Sequence, residues 1–138
     1  MYEVFEHTAD IGLRVRASTP EELFAEAGRG FFALIVDNLD EVAATETVQL
    51  RIQGRVEELD YLLFDWLNEL LYLFDSRQLL LRDFKVRLTE SGLDATVCGE
   101  PFDAGKHRLE HELKAITYHG LKVQKTAAGW LAEVVLDI

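Results

Sequence analysis

The sequence predicts an α+β fold: a single compact domain over residues 1–138, with a mainly antiparallel sheet and two principal helices packed on it. Two observations predict it. Runs alternating apolar and polar residues recur along the whole chain, whereas only two stretches repeat at helical spacing. Those two stretches are not in regular alternation with strands, which disfavours βαβ units and a parallel sheet. The chain is long enough to bury a core without disulfide staples.

The first elements form a hairpin around His7-Thr8-Ala9-Asp10-Ile11-Gly12. After it, Ile11, Leu13, Val15 and Ala17 share one face while Gly12, Arg14 and Arg16 share the other, the signature of a half-buried strand. The run before it, Tyr2 to Glu6, alternates more weakly. His7 to Asp10 therefore reads as a tight connection that holds Asp10 where the sheet stops. A carboxylate there either bonds its own backbone as a turn-former or is presented as a ligand on a rigid edge.

Thr19-Pro20-Glu21-Glu22 then starts a helix, with Thr19 as cap, Pro20 at the first position and Glu22 completing a capping box. Leu23, Phe24, Ala27, Phe31, Leu34 and Ile35 carry it to about Val36, and Gly28 and Gly30 leave room for a close neighbour. Asp37 to Glu46 reads as a polar, mobile loop. Val48, Leu50 and Ile52 mark a third strand, ending near Gly54. The second helix runs from Val56 to about Asp75, about 30 Å at the usual rise. Its wide apolar face, from Leu59 through Trp66 to Phe74, places it at the centre of the core. The remaining arc carries Glu58, Tyr61, Asp65, Asn68, Glu69 and Tyr72, either a solvated face or a docking surface.

Phe84, Val86 and Leu88 alternate into a turn at Glu90-Ser91-Gly92, followed by a strand from Leu93 to Cys98. Glu100 to Lys106 reads as loop, and Leu109 to Val123 as a long extended segment interrupted near His119-Gly120. Ala128-Gly129 turns into a last alternating strand that reaches Asp137 and Ile138.

With 25 acidic against 14 basic residues the net charge is −11, which repels phosphate backbones and makes direct nucleic-acid binding unexpected. A basic protein partner or a bound cation suits it better, although solubility alone accounts for such a surface. No apolar run reaches membrane-spanning length, the N-terminus reads as strand rather than signal peptide, and Cys98 has no disulfide partner. The expected compartment is the cytoplasm.

Three constellations could carry chemistry. Asp137 and the α-carboxylate of Ile138 adjoin, with ordinary pKa values of about 3.9 and about 3.5. If the last strand lies beside the first hairpin, Asp10 joins them, and the clustered carboxylates call for a hard cation such as Ca²⁺ or Mg²⁺. If it does not, they are merely solvated. A rival zinc site would use His107 and His111, four residues apart, with His119 or His7. Cys98 reads as a buried structural thiol, since no basic neighbour lowers its pKa. No phosphate-cradling loop and no nucleophile elbow is found.

The sequence resembles the archease family across essentially its whole length. The likeness is carried by His7-Thr8-Ala9-Asp10-Ile11-Gly12, Pro20-Glu21-Glu22-Leu23-Phe24 and Asp65-Trp66-Leu67-Asn68-Glu69-Leu70-Leu71-Tyr72. It continues through Gly99-Glu100, Lys114-Ala115-Ile116-Thr117-Tyr118-His119 and Val134-Val135-Leu136-Asp137-Ile138. The resemblance implies a protein cofactor rather than an enzyme: an activator of the RtcB-type GTP-dependent RNA ligase of tRNA splicing, promoting guanylylation of the ligase histidine and multiple turnover. It also implies a metal site at Asp10, Asp137 and Ile138, with Ca²⁺ expected and Mg²⁺ or Mn²⁺ as alternatives. Asp65, Glu69, Tyr72, Lys114 and His119 are the candidate docking residues for the ligase, and a monomer is expected. Two other readings remain: a stand-alone metal-dependent phosphodiesterase or nuclease, and a general interaction or chaperone module docking through the Tyr61/Asp65/Glu69/Tyr72 face.

Overall fold

Two antiparallel sheets share one core in the computed structural model, which describes residues 1–7 and 10–138, with Glu6 and His7 described by their backbone. The first sheet contains β1 (Tyr2–His7), β2 (Asp10–Ala17), β6 (Ala115–Ile116), β7 (Lys122–Thr126) and β8 (Gly129–Asp137). Its order is β1-β2-β8-β6, with β7 pairing further along β8. The second contains β3 (Glu46–Gln53), β4 (Leu79–Thr89) and β5 (Gly92–Pro101), in the order β3-β5-β4. Helix α1 (Pro20–Ile35) lies against β2 of one sheet and β4 of the other, and α2 (Leu59–Arg77) packs on α1 and both sheets. This is the expected α+β architecture, with the strands divided between two sheets.

Local chemistry explains the helices. The Thr19 hydroxyl accepts the Glu22 N–H at 3.2 Å and Pro20 occupies the first turn, so α1 starts where the cap signal stands. Gly28 has a specific use: a Cβ there would sit 2.8 Å from the Phe84 ring, which stacks on Phe32 with centroids 6.1 Å apart. Bare backbone at Gly28 is what lets α1 approach β4 closely. Trp66, fully buried on α2, donates its indole N–H to the Phe24 carbonyl at 2.9 Å and so joins the two helices by a hydrogen bond inside the core.

Four expectations change. The second helix begins at Leu59 rather than Val56, because Arg55 to Glu58 close a turn in which the Glu58 N–H bonds the Arg55 carbonyl at 2.9 Å. It continues past Asp75 to Arg77, where Gln78 takes a left-handed φ of 54°. β4 starts at Leu79, ahead of the alternating run: Leu79, Leu80 and Leu81 are all buried, and a register shift at Leu81/Asp83 separates them from it.

The segment Asp37 to Glu46 is tethered rather than mobile. Val42 is fully buried, Leu39–Glu41 form a 3-10 turn, and the buried Asn38 amide bonds the Lys106 carbonyl and the Arg108 N–H, each at 2.9 Å. Its anchors are more than sixty residues away, out of reach of a local reading. Leu109 to Val123 is not one extended run. Leu109 makes a single bridge to Val36, β6 spans two residues, and β7 begins at Lys122.

Trp66→Phe should lower stability by about 2 kcal/mol, since it removes the buried indole bond to Phe24 and leaves a gap where the larger ring packed. Urea unfolding measures this, and an unchanged midpoint would mean the indole bond contributes nothing net.

Candidate functional site

The first hairpin and the last strand meet at one corner of the larger sheet. β1 and β2 pair from Tyr2↔Val15 to His7↔Asp10, while Thr8 and Ala9, expected as the tight connection, lie outside the described residues. Phe5 faces Gly12 in this ladder, and a Cβ on Gly12 would collide with the Phe5 ring. The Arg14 guanidinium covers that ring at 4.9 Å. Arg14 also bonds Glu133 at 3.0 Å, and Lys122 reaches the same carboxylate at 3.6 Å, so one row of charges ties β2, β8 and β7 in register. With that register fixed, the ladder ends at Asp10↔Asp137, and Ala115 pairs with Asp137 from the other side. Directly opposed residues project to the same face, with Cβ atoms about 5 Å apart. The two aspartates are therefore forced together by strand pairing.

Their chemistry follows from that placement. A hydrogen bond to Asp10, some desolvation and the charge of Asp10 raise the Asp137 carboxyl above its ordinary value, while the Lys114 charge lowers it. Lys114 is held there by its own N–H, which donates to the Asp137 carbonyl at 2.8 Å. Because the folded value is raised, the ionised pair costs stability at neutral pH, and the cost disappears as acid protonates Asp137. Ile138 follows immediately, 38% exposed, beyond the last ladder pair. Among the described residues no group of three or more His, Cys, Asp and Glu side chains is gathered for a metal. Among the described residues, a third donor beside the two aspartates would be a backbone carbonyl or the Ile138 α-carboxylate. Such an all-oxygen set fits Ca²⁺ or Mg²⁺ and not Zn²⁺.

The histidine alternative has a different explanation. His107 is 3% exposed and both its ring nitrogens are engaged: Nδ1 accepts the Asp103 N–H and Nε2 bonds Glu100, each at 2.9 Å. An accepting Nδ1 puts the ring proton on Nε2, where it is donated to Glu100. Glu100 also takes the Lys106 ammonium and the Ala43 N–H, both at 2.7 Å, and these donors hold its carboxyl down at about 2. This knot fastens the segment after α1 to the end of β5. It uses up His107 as a ligand for the expected pairing with His111, and the side chain of His7 lies outside the described residues. Cys98 is half-buried rather than buried, on the polar side of β5 and 3.4 Å from the Thr47 hydroxyl.

The candidate docking residues fall in two places. Asp65 and Tyr72 are exposed on α2, Glu69 is half-buried beside them, and partial desolvation raises the Asp65 carboxyl. Lys114 and the exposed His119 lie in the segment that leads into and out of β6, where the His119 N–H donates to the Thr117 hydroxyl at 3.2 Å. Phe64, which no sequence motif names, joins these groups: its ring stacks on that of Tyr118 with centroids 3.9 Å apart. Only the folding of β6 and its flanks against α2 brings them together, so no local spacing signals the pair.

Comparison with known proteins agrees with this fold. The Archease protein family matches residues 2–138. The chain is 40% identical to Protein archease of Methanopyrus kandleri over 99% of each chain. It is 42% identical to Protein archease of Thermococcus kodakarensis, covering 99% of this chain and 98% of the relative. The solution structure of Methanobacterium thermoautotrophicum protein 1598 superposes with a TM-score of 0.87 at 31% identity, over 99% of this chain and 98% of that one.

Two titrations check the site. In metal-free protein, Asp10→Asn should bring the Asp137 carboxyl back towards its ordinary value, followed by carboxyl-carbon NMR; an unchanged titration would mean the two acids do not interact. Glu100, by contrast, stabilises the fold above the ordinary glutamate range, and that contribution is lost as pH falls from 4.5 towards about 2. Glu100→Gln should therefore cost about 2 kcal/mol at neutral pH and flatten the acid limb of the stability curve, read by urea unfolding at stepped pH.

Proposed function

This chain belongs to the archease family, and we propose on that premise that it is a protein cofactor, not itself a catalyst, which activates an RtcB-type GTP-dependent RNA ligase in tRNA splicing. The observation that carries the reading is the cross-strand pair Asp10↔Asp137, continued by Ile138, at the corner of the sheet. These residues would hold a divalent cation, Ca²⁺ first and Mg²⁺ or Mn²⁺ as alternatives. When bound, the ion would supply concentrated positive charge beside otherwise mutually repelling acids.

The protein's own part is positioning. The β2–β8 ladder fixes the backbone positions of both aspartates, and Lys114 beside them balances part of their charge. Presented at the ligase, this rigid acidic corner would order the groups that transfer GMP to the ligase histidine and so promote repeated turnover. A preset geometry lowers the entropic cost of such an encounter. The surplus of 25 acids over 14 bases favours approach to a basic, RNA-binding ligase, and no helix among the described residues is long and apolar enough to cross a membrane. A stand-alone phosphodiesterase would require a general base aimed beside the carboxylates, and no observation favours it. Action as a monomer in the cytoplasm completes the proposal.

Asp10→Ala should reduce single-turnover guanylylation of the ligase at least tenfold while leaving the circular-dichroism spectrum unchanged, and extending the chain beyond Ile138 should do the same. Full stimulation by both variants would refute the reading. Raising the salt concentration should also slow activation if charge steers the encounter.

A further inference from the structure

A second surface lies where α2 meets β6 and its flanks, within the region that carries the candidate docking residues. Tyr61 and Tyr118 are 54% and 60% exposed, yet they are held in fixed relation to each other. Tyr118 lies flat on Phe64, with planes 12° apart, and Tyr61 meets it edge-on with centroids 6.1 Å apart. Tyr61 and Tyr118, with Asp60 and Leu121, line a shallow groove of about 360 Å³. Three aromatic rings locked together with two of them open to water form a preset contact area that loses little side-chain entropy on binding.

The charges around the groove select the occupant. Residues 56–76 carry Glu57, Glu58, Asp60, Asp65, Glu69 and Asp75 and not one Lys or Arg. Lys122, on the neighbouring strand, is already paired with Glu133 at 3.6 Å. Open aromatic faces next to carboxylates match a guanidinium group, which stacks on a ring and takes a carboxylate at its edge. A second copy of this acidic chain would meet like charge, and a purely apolar segment would desolvate the Asp60 carboxylate, which accepts the Tyr61 N–H at 3.0 Å, without supplying a counter-charge. We infer that the Tyr61–Phe64–Tyr118 shelf, with Asp60, is a docking site for an arginine-bearing basic segment of the partner protein.

Its position suits that use. Tyr118 is three residues from Ala115, the register partner of Asp137, and three residues of extended chain span at most about 11 Å. A partner gripped at the shelf therefore has the Asp10–Asp137 corner within reach. The inference rests on the ligase reading for the identity of the partner, whereas the chemistry of the shelf stands by itself.

The experiment measures direct binding of the intact protein to the ligase by calorimetry at low salt, for wild type, Tyr118→Ala, Tyr118→Phe and Asp60→Lys. Tyr118→Ala and Asp60→Lys should weaken binding about tenfold or more, and Tyr118→Phe, which keeps the ring, should restore it to within about twofold. Wild-type affinity in both Tyr118→Ala and Asp60→Lys overturns the proposal. A parallel arm follows backbone amide shifts as short arginine-rich, lysine-rich and leucine-rich peptides are added. Shifts centred on Asp60, Tyr61 and Tyr118, strongest with arginine, support the shelf; shifts elsewhere, no shifts, or preference for leucine overturn it. If the ligase neither binds nor responds to wild type, the ligase reading has failed, and the peptide arm alone decides the shelf.

Discussion

The β2–β8 ladder is the constraint on which the structure depends. Its register, clamped by the Arg14–Glu133–Lys122 row, brings Asp10 opposite Asp137 at the point where the sheet runs out. A slip of one residue would turn every side chain of β8 to the other face and bury Asp137 where Leu136 now packs at zero exposure. The hydrophobic pattern that builds the core is thus also what holds the two acids together.

An acidic pair in such a position opposes folding, and the rest of the molecule offsets it. Trp66, Phe24, Phe31 and Phe32 are completely buried between the two sheets, and the bare backbone of Gly28 admits Phe84 to the same cluster. Burial of side chains this large contributes about 2–3 kcal/mol each, more than like charges at a solvated edge cost. The Glu100–Lys106–His107 knot works in the opposite sense to the aspartate pair. Its carboxylate is surrounded by donors and stabilises the fold, whereas Asp137 faces another acid. One carboxyl environment is thus satisfied and the other frustrated.

Much of this was legible in the chain. The alternation of Ile11, Leu13 and Val15, the Thr19-Pro20 helix start and the apolar face around Trp66 are local signals, and the elements formed where those signals lie. Asp10 and Asp137 could be named as candidates, but their meeting could not be read from local pattern, because register between distant strands is a tertiary outcome. The same limit explains the misses. Leu79 to Leu81 show no alternation because both faces are buried. The segment after α1 is pinned by Asn38 and Glu100 through bonds to remote residues. Tyr118 finds Phe64 only once β6 and its flanks are laid against α2.

We propose that strand pairing at this corner makes a site for a divalent cation. Calorimetric titration of metal-free protein with Ca²⁺, wild type against Asp137→Asn, tests it most directly. One binding event per chain in wild type, abolished in Asp137→Asn with the fold intact, is the predicted result. Identical isotherms for the two proteins, or no binding by wild type, would contradict it.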